Sequence, residues 1–206
     1  MAKALSLFAE YVRPEVPMCP EIMILDAINN VGIAFCKATR LLQEKVNIVT
    51  VVGQASYPLT LSAGFDVEEV LRVARDQYFY LTPSSEAEFT DAGYDRLSGT
   101  SAYFYLNDQT LVLGMLPVAV ETLEVLCKSS PSSSATVLPD ELYTKYENEI
   151  AAGAKALLMQ MTKKPWSDQA KALENQAMFD AGIAKENIRH AKGGVKNRLR
   201  SRLHIF

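Results

Sequence analysis

The chain has 206 residues, of which 49% are apolar and 22% are charged, so a single globular domain with a sizeable core fits its size. No apolar run approaches the roughly 20 residues of a bilayer-spanning helix, which excludes a membrane-spanning helix as the organising element. The net charge of −3 is uneven, because residues 185–206 carry seven basic residues and one acid, whereas residues 1–184 carry a net charge of −9.

The N-terminal part of the chain predicts two helices. Apolar residues recur at the spacing of one helical face between Leu5 and Val12, which predicts a short helix over 2–12. A longer helix is predicted over 20–42, beginning at a proline that suits the first helical position. Gly32 in its interior predicts close approach of a neighbouring helix. Its predicted buried stripe consists of Ile22, Leu25, Ile28, Gly32, Phe35, Thr39 and Leu42.

The middle of the chain changes from a helical to an alternating pattern at Lys45, and β-branched residues dominate there. Several short strands in fewer than 100 residues indicate a compact sandwich or an open barrel. A hairpin is predicted across 107–109. The serine-rich stretch 129–134 is interpreted as a flexible linker. The predicted strands are 45–52, 55–59, 67–74, 77–81, 103–106, 110–113 and 122–128.

The C-terminal part returns to the helical period. Two helices are predicted, over 139–162 and 167–190, and the short break between them predicts an antiparallel hairpin with Trp166 as a packing anchor. The predicted inward residues are Leu142, Tyr146, Ile150, Gly153, Leu157 and Met161 in the first helix and Ala170, Leu173, Ala177 and Ile183 in the second.

These elements predict an α+β fold. Residues 1–44 and 139–190 are expected to form a helical bundle, because helices occupy both ends of the sequence. Residues 45–138 are expected to form an inserted small antiparallel β-sandwich or barrel-like module, including the serine-rich linker. Residues 191–206 are expected to form an extended C-terminal arm.

The sequence holds no recognised catalytic signature. There is no phosphate-binding glycine loop, no zinc-protease motif and no nucleophile elbow. The two histidines, His190 and His204, lie in or beside the tail, and Cys19, Cys36 and Cys127 are too widely spaced for a zinc site and are interpreted as small buried thiols. Acidic residues such as Glu147 and Glu149 are interpreted as solvated. We therefore expect no enzyme activity, no catalytic residue, no cofactor and no metal.

Two aromatic runs, 78–80 and 103–105, lie on neighbouring predicted strands. Alternating aromatic residues most often build a sheet core. The alternative is a base-stacking platform for single-stranded nucleic acid, which needs interleaved basic residues that are sparse here.

The C-terminal arm combines a basic stem with an apolar tip. The stem suggests nucleic acid, whereas the tip suggests a protein groove that receives Leu203, Ile205 and Phe206. A solvated tail is the third interpretation. The residues expected to make contact are Lys196, Arg198, Leu199, Arg200, Arg202, Leu203, Ile205 and Phe206.

Several stretches resemble one known family. The opening Leu7–Phe8, the run Tyr11–Pro20 and the helix containing Ala34–Thr39 are similar to the head-to-tail adaptor proteins (tail tubular A-like head–tail connectors) of short-tailed bacteriophages. The strand-turn-strand Val52–Leu59 and the run Leu138–Leu142 before a helical hairpin resemble the segments that follow in such proteins.

The resemblance implies a structural virion protein at the head–tail junction, assembled in the host cytoplasm. It implies a homo-dodecameric ring that docks under the portal protein, extends the channel for double-stranded DNA without binding a specific sequence, and offers a platform to tail nozzle or tail fibre proteins. It also implies that the eight arm residues bind the portal, and that no membrane is involved. Two alternatives follow in order: a nucleic-acid-binding protein that uses the basic tail, and a phage peptidoglycan hydrolase.

Overall fold

The computed structural model describes residues 2–76, 79–88 and 97–192, and no cis peptide bond occurs in them. The chain divides into two compact units, one formed by Met1–Leu41 with Ser133–Phe206 and the other by Leu42–Ser132. We call them the helical unit and the β-unit. The α+β fold class predicted from the sequence is confirmed.

The helical unit is built from helices that come from both ends of the chain. They are α1 (Leu5–Val12), α2 (Glu21–Ala38), α3 (Asp140–Met159) and α4 (Gln169–Ala191). Two short strands, β1 (Ala2–Ala4) and β9 (Val137–Pro139), pair antiparallel. The prediction of a helix from residue 2 is therefore wrong for its first three residues, because backbone pairing with β9 holds them extended.

Local hydrogen bonds set the ends of α2 and α4. The α2 helix ends at Ala38 because Thr39 turns extended, and both its N–H and its hydroxyl donate to the Phe35 carbonyl. The predicted extension of this helix to residue 42 is therefore wrong. The α4 helix begins after Asp168, whose carboxylate accepts from the Lys171 N–H at 3.1 Å.

The core of the helical unit forms around α3. Phe35 of α2 packs on Tyr146 with ring centroids 4.8 Å apart and on Phe179 of α4 at 6.0 Å. Gly153 of α3 lies under Val31 and Phe179 so closely that an added Cβ would come within 2.6 and 2.8 Å of their side-chain atoms. The other fully buried side chains include Phe8, Ile24, Ile28, Leu138, Leu142, Ile150 and Leu158.

Five predicted inward positions are exposed instead. Ile22 of α2 is 69% exposed, Leu157 of α3 is 39% exposed and Leu173 of α4 is 71% exposed, and Ala170 and Ala177 of α4 are exposed as well. Gly32 does allow a close approach, but the neighbour is the Leu138 side chain of β9 and not a helix. The residues of α4 that face the core are Ala172, Asn175, Phe179, Gly182 and Glu186.

The β-unit is a seven-stranded, barrel-like sheet. Its strands are β2 (Gln43–Val49), β3 (Ser56–Pro58), β4 (Phe65–Ala74), β5 (Tyr80–Pro83), β6 (Tyr103–Asn107), β7 (Thr110–Leu113) and β8 (Thr122–Pro131), in the order β2-β8-β4-β5-β6-β7-β3. The predicted hairpin is confirmed as β6–β7. The β5–β6 pair is parallel, which corrects the wholly antiparallel prediction.

The serine-rich stretch is partly a strand and not a linker. Ser129–Pro131 continue β8 and pair with Phe65–Val67 of β4. The Ser130 side chain is 1% exposed, and its hydroxyl donates to the Glu68 carboxylate at 2.6 Å. These serines are buried because the partner strand supplies both backbone and side-chain hydrogen bonds, which composition alone does not reveal.

The aromatic runs contribute little to the β-unit core. Phe104 is 4% exposed and lies in the core, but Phe79 is 63% exposed and Tyr80 is 55% exposed. The interpretation of both runs as sheet core is therefore wrong apart from Phe104, and residues 77 and 78 lie outside the described part. Cys36 and Cys127 are buried free thiols, as predicted, whereas Cys19 is half-buried.

Candidate assembly surfaces

The eight predicted contact residues of the arm, from Lys196 to Phe206, lie outside the described residues. The structure describes instead the end of α4 from which the arm starts. The helix runs to Ala191, and the Lys192 N–H closes it by donating to the Ile188 carbonyl at 3.0 Å. The position of the arm's origin is therefore fixed by α4.

A buried acid anchors this end of α4. Glu186 is 4% exposed, and its carboxylate accepts hydrogen bonds from the Tyr146 hydroxyl and, at 3.4 Å, from the Arg189 guanidinium. The backbone of α3 departs from helical geometry at Tyr146, with φ −138° and ψ 22°. A buried carboxylate needs such partners, because an unpaired charge is strongly disfavoured in the interior. We call these three residues the arm anchor.

The arm anchor shifts the titration of Tyr146. Burial first, and then the hydrogen bond and negative charge of Glu186, raise the pKa of Tyr146 from its ordinary value of 10.0 to about 12. The nearby Arg189 acts in the opposite direction without reversing the shift. The protonated hydroxyl is thus the form that the folded protein stabilises.

We expect this shift to appear as an alkaline loss of stability. The unfolded chain releases the Tyr146 proton above pH 10 while the folded chain retains it to about pH 12. The stabilisation is therefore fully present below pH 10 and is lost between pH 10 and 12, by about 2–3 kcal/mol. Urea unfolding across this range should show a steeper loss for the parent chain than for Tyr146→Phe. An equal loss of stability with pH in the parent chain and in Tyr146→Phe would contradict a raised pKa of Tyr146.

Two of the basic residues near the C-terminus are already paired within the helical unit. Lys185 lies 3.3 Å from the Glu149 carboxylate, and Arg189 pairs with Glu186. The Glu149 side chain packs over Gly182, so the prediction that this acid is simply solvated is wrong. The remaining basic residues of the arm, Lys196, Arg198, Arg200 and Arg202, lie outside the described residues.

The β-unit presents a second surface, at the connection after β2. The Gly53 N–H donates to the Pro117 carbonyl at 2.9 Å, and Thr50 bonds the backbone at Ala119 and Glu121, so two loops lie side by side. Between 52% and 67% of the surface of each of five valines is exposed there. We call this surface the valine tip: Val49, Val51, Val52, Val118 and Val120. Contiguous exposed apolar residues typically mark a surface that binds another protein.

A buried tyrosine holds the valine tip in shape. Tyr57 is 4% exposed, and its hydroxyl accepts from the Val51 N–H at 3.0 Å and donates to the Gln54 carbonyl at 2.5 Å. On the β8 side, Arg75 lies 2.5 Å from the Glu121 carboxylate. The valines are therefore displayed on an ordered backbone, which lowers the entropic cost of binding.

Removal of the Tyr57 hydroxyl should loosen the tip. In Tyr57→Phe the Val51 N–H and the Gln54 carbonyl lose their partner, and we expect a loss of about 1–3 kcal/mol in the free energy of unfolding. Hydrogen exchange of the Val51 amide should accelerate more than that of the β8 amides. An unchanged exchange rate at Val51 would show that the hydroxyl does not hold the loop.

A polar cleft of about 400 Å³ on the β-unit is lined by acidic and basic side chains that neutralise one another. Glu124 lies 3.0 Å from the Lys45 ammonium and 3.2 Å from the Arg72 guanidinium, and the Lys45 hydrogen bond lowers the pKa of Glu124. Arg72 also lies over the Tyr80 ring, 5.5 Å from its centroid. These contacts are those of a surface ion-pair network and provide no acid with a raised pKa.

Residues 2–76, 79–88 and 97–192 contain no group of three or more His, Cys, Asp or Glu side chains that could hold a metal ion. None of the helices within those ranges is long and apolar enough to cross a membrane.

Sequence reasoning missed the arm anchor and the valine tip. Glu186 was counted as the one acid of a basic tail, and only its position on the inner face of α4 reveals its burial. The five valines come from two stretches separated by about 70 residues, so only the fold brings them together. A signal was present in Val118 and Val120, which lie outside any predicted strand.

The chain thus combines a helical unit, from which the arm starts, with a β-unit that carries an exposed apolar tip. The chain belongs to the SU10 adaptor protein family, whose model matches residues 5–202. It is therefore a phage head-to-tail adaptor, a structural protein of the virion. No curated protein matches the chain. The family match covers both units and extends into the arm as far as Arg202.

Proposed function

We propose that this adaptor forms a dodecameric ring under the portal vertex, docks there through its C-terminal arm, and extends the channel through which double-stranded DNA passes. The observation that carries the proposal is the family membership over residues 5–202. The arm anchor supports the docking step, because it fixes the point from which residues 193–206 start.

The arm's chemistry supports a protein partner. Lys196, Arg198, Arg200 and Arg202 would meet acidic groups on the portal, and Leu203, Ile205 and Phe206 would enter apolar pockets. A single arm of this length binds modestly if it orders on contact, because ordering costs conformational entropy. Many arms on one ring compensate, because each bound arm raises the effective concentration of the next.

The remaining body carries the charge expected of a DNA conduit. Residues 1–184 have a net charge of −9, so a channel formed by this part would not retain passing DNA. The valine tip offers an ordered apolar surface for the tail nozzle or fibre proteins. In this scheme the protein is a non-catalytic connector at the head–tail junction.

The test mixes the purified chain with the portal protein of the same phage and follows assembly by sedimentation and negative-stain imaging. We expect an additional ring on the portal, with a mass that corresponds to a dodecamer. In parallel, binding to double-stranded DNA is measured at low and physiological salt. Absence of a ring together with DNA binding that weakens steeply with salt would replace this proposal by nucleic-acid binding through the tail.

A further inference from the structure

We draw no further inference here: the strongest candidate, the cleft of about 280 Å³ beside the C-terminal end of α4, belongs to the arm anchor already described, because Glu186 and Arg189 line it as a hydrogen-bonded pair.

Discussion

A chain that ends at Lys192 is expected to fold normally but to form no ring on the portal protein. Lys192 closes α4 through its N–H, and the arm anchor lies before it, so the helical unit retains its described contacts. The removed segment contains all eight predicted contact residues. Because the arms act together, we expect the apparent affinity for the portal to fall by at least 100-fold.

Single substitutions test whether particular side chains of the arm contribute to portal binding. Leu203→Asp places a charge in the apolar tip and should weaken the ring strongly, whereas Asn197→Asp adds the same charge within the stem and should weaken it much less. Portal binding is measured by sedimentation, and circular dichroism verifies that each variant is folded. Full binding by the chain that ends at Lys192 would show that the portal contact lies elsewhere.

Gly153→Val is expected to cause the largest loss of stability among helix substitutions of this size. An added Cβ would already lie 2.6 Å from Val31 Cγ1 and 2.8 Å from Phe179 Cδ2, and valine adds two further methyl groups. Overpacking of this kind costs about 1–3 kcal/mol and occasionally more. We therefore expect a loss of about 3 kcal/mol in the free energy of unfolding, measured with urea.

Two control substitutions separate the cost of overpacking at Gly153 from the effect of helix propensity. Gly153→Ala should cost less, because its overpacking is partly offset by a gain of about 1 kcal/mol in helix propensity. Ala181→Val at an exposed position of α4 should change stability by about 0.5 kcal/mol, which is the propensity difference alone. Equal losses for Gly153→Val and Ala181→Val would mean that α2 and α4 do not approach α3 as closely as described.

The α4 helix shows why sequence periodicity predicted an element but not its inner face. The helix was predicted within two residues of its observed bounds, Gln169–Ala191. Two apolar stripes run along it, and the prediction chose Leu173 and Ala177, which face outward. The inner face contains Asn175 and Glu186, whose burial depends on partners that other helices supply. An exposed apolar stripe resembles a core face in the sequence, since both are apolar.

The β-unit shows the same limit for strands. The alternating pattern located most strands because one face of the sheet packs on a core that includes Val73, Leu111 and Val125. It did not predict that β5 and β6 run parallel, because strand direction depends on the connection between them. It also placed Ser129 and Ser130 outside the sheet, although pairing with β4 buries both.

The candidate assembly surfaces also differ in what the sequence alone could predict. The eight arm residues expected to make contact were chosen from composition, because basic and apolar residues concentrate in the last 14 positions, and they remain a prediction because they lie outside the described residues. The arm anchor depends on a contact between residues 146 and 186, and the valine tip depends on two loops that meet. Contacts between distant positions need the fold.

A cryo-EM reconstruction of the portal protein with this adaptor bound tests the central claim most directly. The account predicts a dodecameric ring with residues 193–206 traced along the portal surface, Lys196 to Arg202 beside acidic groups, and Leu203, Ile205 and Phe206 in apolar pockets. A ring that contacts the portal through the helical unit or the β-unit, with the arm away from the portal surface, would contradict it.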